Sequence, residues 1–140
     1  VKLMWFSGPR RAARRSLADF VVAIVRSTRF GDELGGFILK VVHFNAPWWL
    51  IMNAMHLSRI GALMSLFTLT VAVGLYLILG GCFLSDAEHT LGAGDFNVVD
   101  PYIRIFARPI NSETRHYFTI FGAYTAYVLV LSILHLRGLI

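Results

Sequence analysis

The sequence predicts an all-α membrane protein with two antiparallel transmembrane helices, preceded by one or two interfacial amphipathic helices. Three observations carry that expectation. Residues 60–85 run for 26 positions without a charged side chain. At about 1.5 Å of rise per residue this stretch is long enough for a bilayer's roughly 30 Å hydrocarbon core. Residues 116–136 supply a second stretch, 21 positions long, without a full charge. The composition agrees: 56% of the 140 residues are hydrophobic and 15% are charged, against about 25% charged in ordinary soluble domains. A soluble core does not collect its apolar residues into two runs of membrane length.

The chain divides into a basic amphipathic interfacial region (1–56), a first transmembrane helix (57–83), an intermembrane loop (84–116) and a second transmembrane helix (117–137). Residues 1–59 hold nine basic and three acidic side chains, a net +6, whereas 84–116 hold three and five, a net −2. By the positive-inside rule the N-terminal region stays on the side of insertion, which is the matrix in mitochondria and the cytoplasm in bacteria. Two spans return the C-terminus to that side, and the loop faces the other compartment. Val1 in place of Met fits removal of an N-terminal targeting segment.

Arg10, Arg11, Arg14 and Arg15 share one helical face, and Leu17, Phe20, Val21, Ile24 and Val25 follow as an apolar stripe. Such a helix suits a membrane surface, with arginines over lipid phosphates. A helix docked on a protein partner fits the same pattern equally well. Gly31 breaks it. Asp32 and Glu33 suit the first turn of a second helix, where the helix dipole favours negative charge. That helix is expected to run 12 to 15 residues and to end at Pro47, placing Trp48 and Trp49 in the headgroup belt.

In the first span Gly61, Ser65, Thr68 and Ala72 step by 4, 3 and 4. In the second, Thr119, Gly122 and Ala126 repeat that spacing. Small residues in a stripe let membrane helices approach closely, so both stripes are predicted packing faces. The loop is punctuated by Gly92, Gly94, Pro101 and Pro109, and Tyr102, Ile103, Ile105 and Phe106 are too apolar to stand free in water.

Chemical motifs are sparse. There is no nucleophile elbow, phosphate loop or HExxH, and Gly92-Ala93-Gly94 lacks the third glycine of a dinucleotide turn. No acid lies inside either span, which argues against a proton path. Cys82 is the sole cysteine, so no intrachain disulfide and no cysteine-based metal site is expected. His56 and His135 fall at the same predicted membrane face, where two imidazoles are able to ligate a haem iron from both sides. Interfacial histidines bonded to water or backbone are the commoner case. His43, His89 and His116 read as structural. Arg59, at the edge of the first span, reads first as a lipid-phosphate contact and second as a quinone donor.

The segment Ala54-Met55-His56-Leu57-Ser58-Arg59-Ile60-Gly61 loosely resembles the entry to the first span of succinate dehydrogenase membrane anchors. Those carry a Ser-x-x-His-Arg-x-x-Gly type motif; here the residue types are present in a different order. That resemblance implies a quinone pocket at His56, Ser58 and Arg59; together with the pairing of His56 and His135 at one membrane face it makes haem b or ubiquinone the alternative cofactor, held by His56, Ser58, Arg59 and His135. The C-terminal stretch from Tyr102, closing on His135-Leu136-Arg137, is similar to small ATP synthase membrane subunits of the f type. The whole chain resembles supernumerary membrane subunits of mitochondrial oxidative-phosphorylation complexes.

The expected function is a non-catalytic accessory subunit of a mitochondrial inner-membrane energy-transducing complex, either ATP synthase or a respiratory chain complex. Its partners would be other membrane subunits and an anionic phospholipid such as cardiolipin, bound by Arg10, Arg11, Arg14, Arg15 and Arg59. No resident cofactor and no nucleic acid is expected. The alternative is a haem- or quinone-binding anchor.

Overall fold

The computed structural model describes residues 7–94 and 96–140. The first six positions of the expected basic region, and Asp95 of the expected loop, lie outside the described residues. Six helices and no strand occur among the described residues: α1 Ser7–Ser27, α2 Asp32–His56, α3 Arg59–Leu79, α4 Phe83–Thr90, α5 Asp100–Ile105 and α6 Ser112–Leu136. Two of these, α3 and α6, are long and apolar enough to cross a membrane. They replace the expected spans 57–83 and 117–137.

Helix ends follow local chemistry. Gly80 adopts a φ of 66°, and the Gly81 N–H reaches back to the Tyr76 carbonyl at 3.1 Å. That is the 6→1 bond of a Schellman stop, and it ends α3 several residues before Ser85. A Cβ at Gly81 would overlap the guanidinium of Arg14, so the second glycine gives that arginine its passage. Helix α6 starts earlier than hydropathy implies because Asn111 and Thr114 form a reciprocal capping box.

Two expectations about the connecting segments are corrected. The second helix does not stop at Pro47 but continues to His56. Pro47 has no N–H for the His43 carbonyl, and an interior proline costs a helix about 3 kcal/mol. Packing on both sides of the proline offsets this: Leu39 before it, and Leu50, Ile51 and Ala54 after it, lie against buried clusters. Trp48 and Trp49 therefore sit inside a helix rather than beyond its end. Residues 84–116 are likewise more than a loop, since α5, all but the first residue of α4, and the start of α6 fall there.

The chain forms two compact units. One comprises the described residues up to His43 together with Gly74–Asn97; the other comprises Phe44–Val73 and Val98–Ile140. In the first, α1 packs along α4, with Ala18 and Val22 of α1 joining Ala87 and Leu91 in one buried cluster. The start of α2 approaches both neighbours at Gly35 and Gly36. A Cβ on Gly36 would lie 3.0 Å from Leu91 Cβ, and one on Gly35 would overlap Val25. In the second unit Ala54, Ala62, Leu69, Ala126, Val130 and Leu134 form the buried cluster.

The predicted stripes are largely replaced as packing faces. On α3 the buried positions are Ala62, Ser65, Leu69 and, at its last residue, Leu79; Leu66 and Val73 are partly covered. Thr68 and Ala72 are exposed, and Gly61 is only half-buried. The real face is turned by roughly a quarter of the helix circumference and keeps only Ser65 in common. On α6 Ala126 is buried but Gly122 is exposed. The reason is shape. Val130 and Leu134 are fully buried in the same cluster as the fully buried alanines Ala54 and Ala62. Large side chains thus fill the space that small ones leave, instead of small faces meeting each other.

Candidate functional site: a cysteine–histidine–glutamate cluster

Three residues with no shared sequence motif meet in the first unit. Gly80 and Gly81 end α3, and Cys82 follows as the N-cap residue of α4. Two turns along α4, Glu88 points inward with 4% of its side chain exposed. His43 of α2 lies between them. Its Nδ1 is 2.6 Å from Glu88 Oε1, and its Nε2 is 3.5 Å from Cys82 Sγ. The order is thiol, imidazole, carboxylate. In such an arrangement the carboxylate orients the ring and the ring takes the thiol proton.

The surroundings hold the partners in place. Gly36 brings α2 close to Leu91 and Ala93. Lys40, one turn before His43, bonds the Ala93 carbonyl, which extends just past the end of α4. On the other flank Arg14 bonds Asp86 at 2.7 Å and the Gly80 carbonyl at 3.1 Å. The charged and titratable groups on this side of α4 are therefore His43, Glu88, Asp86 and Arg14, with Lys40 held at the far end of the helix.

Electrostatics follow from this geometry. Burial works against charge on His43, but its contacts with Cys82 and then Glu88 outweigh burial and raise its pKa to about 10. Burial also opposes a Cys82 thiolate, yet the contact with His43, helped by Ser85, holds the thiol below its ordinary value. A thiolate beside an imidazolium at a helix N-terminus is the nucleophilic form of cysteine.

The sequence by itself marks His43 as a structural residue and Cys82 as too solitary for an intrachain disulfide or a cysteine-based metal site. The separation of 39 residues between them carries no periodic signal. The one local signal is that Cys82 follows the Gly80-Gly81 pair, with Glu88 six residues on.

The residues singled out from the sequence lie elsewhere. Arg14 is tied to Asp86 and Gly80, which takes it from the expected lipid set. Arg10, Arg11, Arg15 and Arg59 are exposed. His56, Ser58 and His135 are also exposed. No group of three or more His, Cys, Asp or Glu arranged to hold a metal ion occurs among the described residues. Ser58 Oγ accepts a long bond from the Gly61 N–H. Arg137, which attracted no notice in the sequence beyond its place in the tail, donates to the Ala54 and Leu57 carbonyls at the end of α2.

No family model, curated protein or solved structure matches the chain.

Proposed function

We propose that the chain is an integral membrane protein in which α3 and α6 cross the bilayer antiparallel, and that it serves as a non-catalytic accessory subunit of a larger membrane complex. One observation carries this reading. Only 22% of the most apolar window of α3, and 17% of that of α6, is buried. Phe67, Ile78, Phe121 and Tyr124 are all more than half exposed. Apolar faces of that extent require lipid or protein cover. Hydroxyls inside the two helices already suit lipid: Thr70, Thr119 and Thr125 each donate to the carbonyl four residues back.

Support for the antiparallel arrangement comes from two contacts. Arg137, just past α6, holds carbonyls just before α3 begins. Thr70, midway along α3, lies 3.4 Å from the Tyr127 hydroxyl, ten residues before Arg137.

The sidedness proposed here differs from the sequence expectation. As a span, α3 places Arg59 and Leu79 at opposite faces. Arg14 of α1 bonds Gly80 and Asp86, so α1 and the segment after α3 share a face instead of being separated by the membrane. As a span, α6 likewise places Asn111 and Arg137 at opposite faces. Most arginines remain on the α1 side, which keeps that side the compartment of insertion. The inner mitochondrial membrane, with cardiolipin as the lipid for the exposed Arg10, Arg11, Arg15 and Arg59, remains the proposed setting on the strength of the Arg-rich start.

Protease protection in oriented vesicles tests the topology. One epitope tag goes between Ala107 and Arg108 and another after Ile140. The proposal expects one tag cleaved and the other protected. Equal behaviour of both tags, or release of the chain by carbonate, overturns it. Native electrophoresis of mild-detergent extracts tests the subunit role, which requires migration well above the monomer.

A further inference from the structure

We propose that Cys82 is an acyl-acceptor site, at which the thiol takes a fatty acyl group from an acyl thioester with His43 as general base and Glu88 as the residue that positions it. This goes beyond the accessory role, and it rests on that reading only in assuming that α3 ends at the bilayer surface.

The chemistry is set by the order of groups. Glu88 Oε1 lies 2.6 Å from His43 Nδ1 and fixes the ring. The other nitrogen faces Cys82 Sγ at 3.5 Å, a distance that closes readily when a substrate arrives. In the ion pair the Cys82 proton already rests on His43 Nε2, and the thiolate attacks the thioester carbonyl carbon. A new S–C bond forms while the carbonyl electrons move to oxygen. When the carbonyl re-forms, the bond to the carrier sulfur breaks and the leaving thiolate takes the proton from His43. One thioester is consumed and one is made, so no oxidant or further reagent is needed. The first-turn N–H groups of α4 have no intrahelical carbonyl to bond and lie at the same end of the helix as the thiol. They are suited to the transient oxyanion.

The class of substrate follows from where the thiol sits. Cys82 is partly exposed and comes three residues after the apolar helix α3 ends at Leu79. In the last turns of that helix Leu77 is 55% exposed and Ile78 is 63% exposed. A fatty chain laid along this greasy surface in the lipid leaves its carbonyl at the interface, level with the sulfur. A thioester is the fitting donor, because one thioester is consumed as the other forms and the carrier thiol is the leaving group. A water-soluble acyl donor gains nothing from this position.

The test uses the full-length protein in lipid nanodiscs, incubated with palmitoyl-CoA or acetyl-CoA at neutral pH and followed by intact mass. The expected result is one palmitoyl group, released by hydroxylamine, with the acetyl group added much more slowly. Cys82→Ser should acquire none. His43→Gln should slow the reaction about a hundredfold, in keeping with loss of a general base, and Glu88→Gln by less. Iodoacetamide alkylation of the same variants gives a second readout. Wild type should alkylate at a rate nearly independent of pH around neutrality, and His43→Gln should regain the pH dependence of an ordinary thiol. Absence of acylation in wild type, equal rates with the two donors, or a His43→Gln variant that acylates at the wild-type rate each overturns the proposal. Failure of the membrane reading would show separately, in the protease-protection pattern.

Discussion

Replacing Arg115 by alanine should destabilise the protein more than replacing its partner Asp100. Arg115 sits in the first turns of α6 and grips Asp100, the first residue of α5. Its Nε and one terminal nitrogen bond the two carboxylate oxygens, each at 2.8 Å. The carboxylate is 4% exposed, while the arginine side chain is 33% exposed. Removing one partner of a buried pair costs about 3–5 kcal/mol because the other charge stays buried. Here the two ends differ. Arg115→Ala leaves a carboxylate with almost no access to water, so a loss of about 3 kcal/mol is expected. Asp100→Ala leaves a guanidinium that already touches solvent and swings out, so a loss of about 1.5–2 kcal/mol is expected, near the value of one charge-assisted hydrogen bond. The double variant should be no worse than about 2 kcal/mol, because neither charge is then stranded. Unfolding by titration with sodium dodecyl sulfate from dodecyl maltoside micelles, followed by circular dichroism, measures all three. Additive losses, or an Asp100→Ala variant weaker than Arg115→Ala, would refute the reasoning from burial.

Three further outcomes are expected. Arg137→Gln should cost about 1.5–3 kcal/mol in the same titration, since it removes charged donors from the Ala54 and Leu57 carbonyls; Arg137→Lys should restore only part of this, having no planar fork. Ala62→Leu should cost about 1–3 kcal/mol by overpacking a site with no exposed surface, whereas Ala72→Leu should change stability by less than about 0.5 kcal/mol because it faces outward; the reverse order would restore the small-residue stripe as the packing face. The folded-state pKa of His43 is raised to about 10, so its stabilisation is complete below the ordinary histidine value and is lost as pH rises through 10. The depressed Cys82 thiol acts in the opposite sense, its contribution being lost as pH falls through its folded value. Thermal melts should therefore show wild type losing its advantage over Glu88→Gln between about pH 9 and 11; an advantage unchanged across that window would refute the charged pair.

Much of the fold was legible because it depends on local order. The charge-free runs located α3 and α6, and Asp32 with Glu33 marked the start of α2 correctly. Pro47 misled because a proline's local cost was weighed without the packing on either side of it. The small-residue stripe misled because Gly61-Ser65-Thr68-Ala72 is one of several faces a largely apolar helix offers. Only the neighbouring side chains Val130 and Leu134 select among them. Small residues do set a close approach, but at Gly35 and Gly36, outside the two predicted stripes. The candidate site was not legible. His43, Cys82 and Glu88 stand on different helices or at their ends, and no periodicity links them.

The amino-acid order alone settled that the chain is helical and carries two segments long and apolar enough for a bilayer, because hydropathy and helix length act over neighbouring residues. Which faces pack, which arginines are tied to carboxylates rather than left on the surface, and which thiol meets an imidazole depended on contacts between segments tens of residues apart. Such contacts form through shape and charge complementarity between whole helices. A face with several near-equivalent choices acquires one meaning only when its partner is in place.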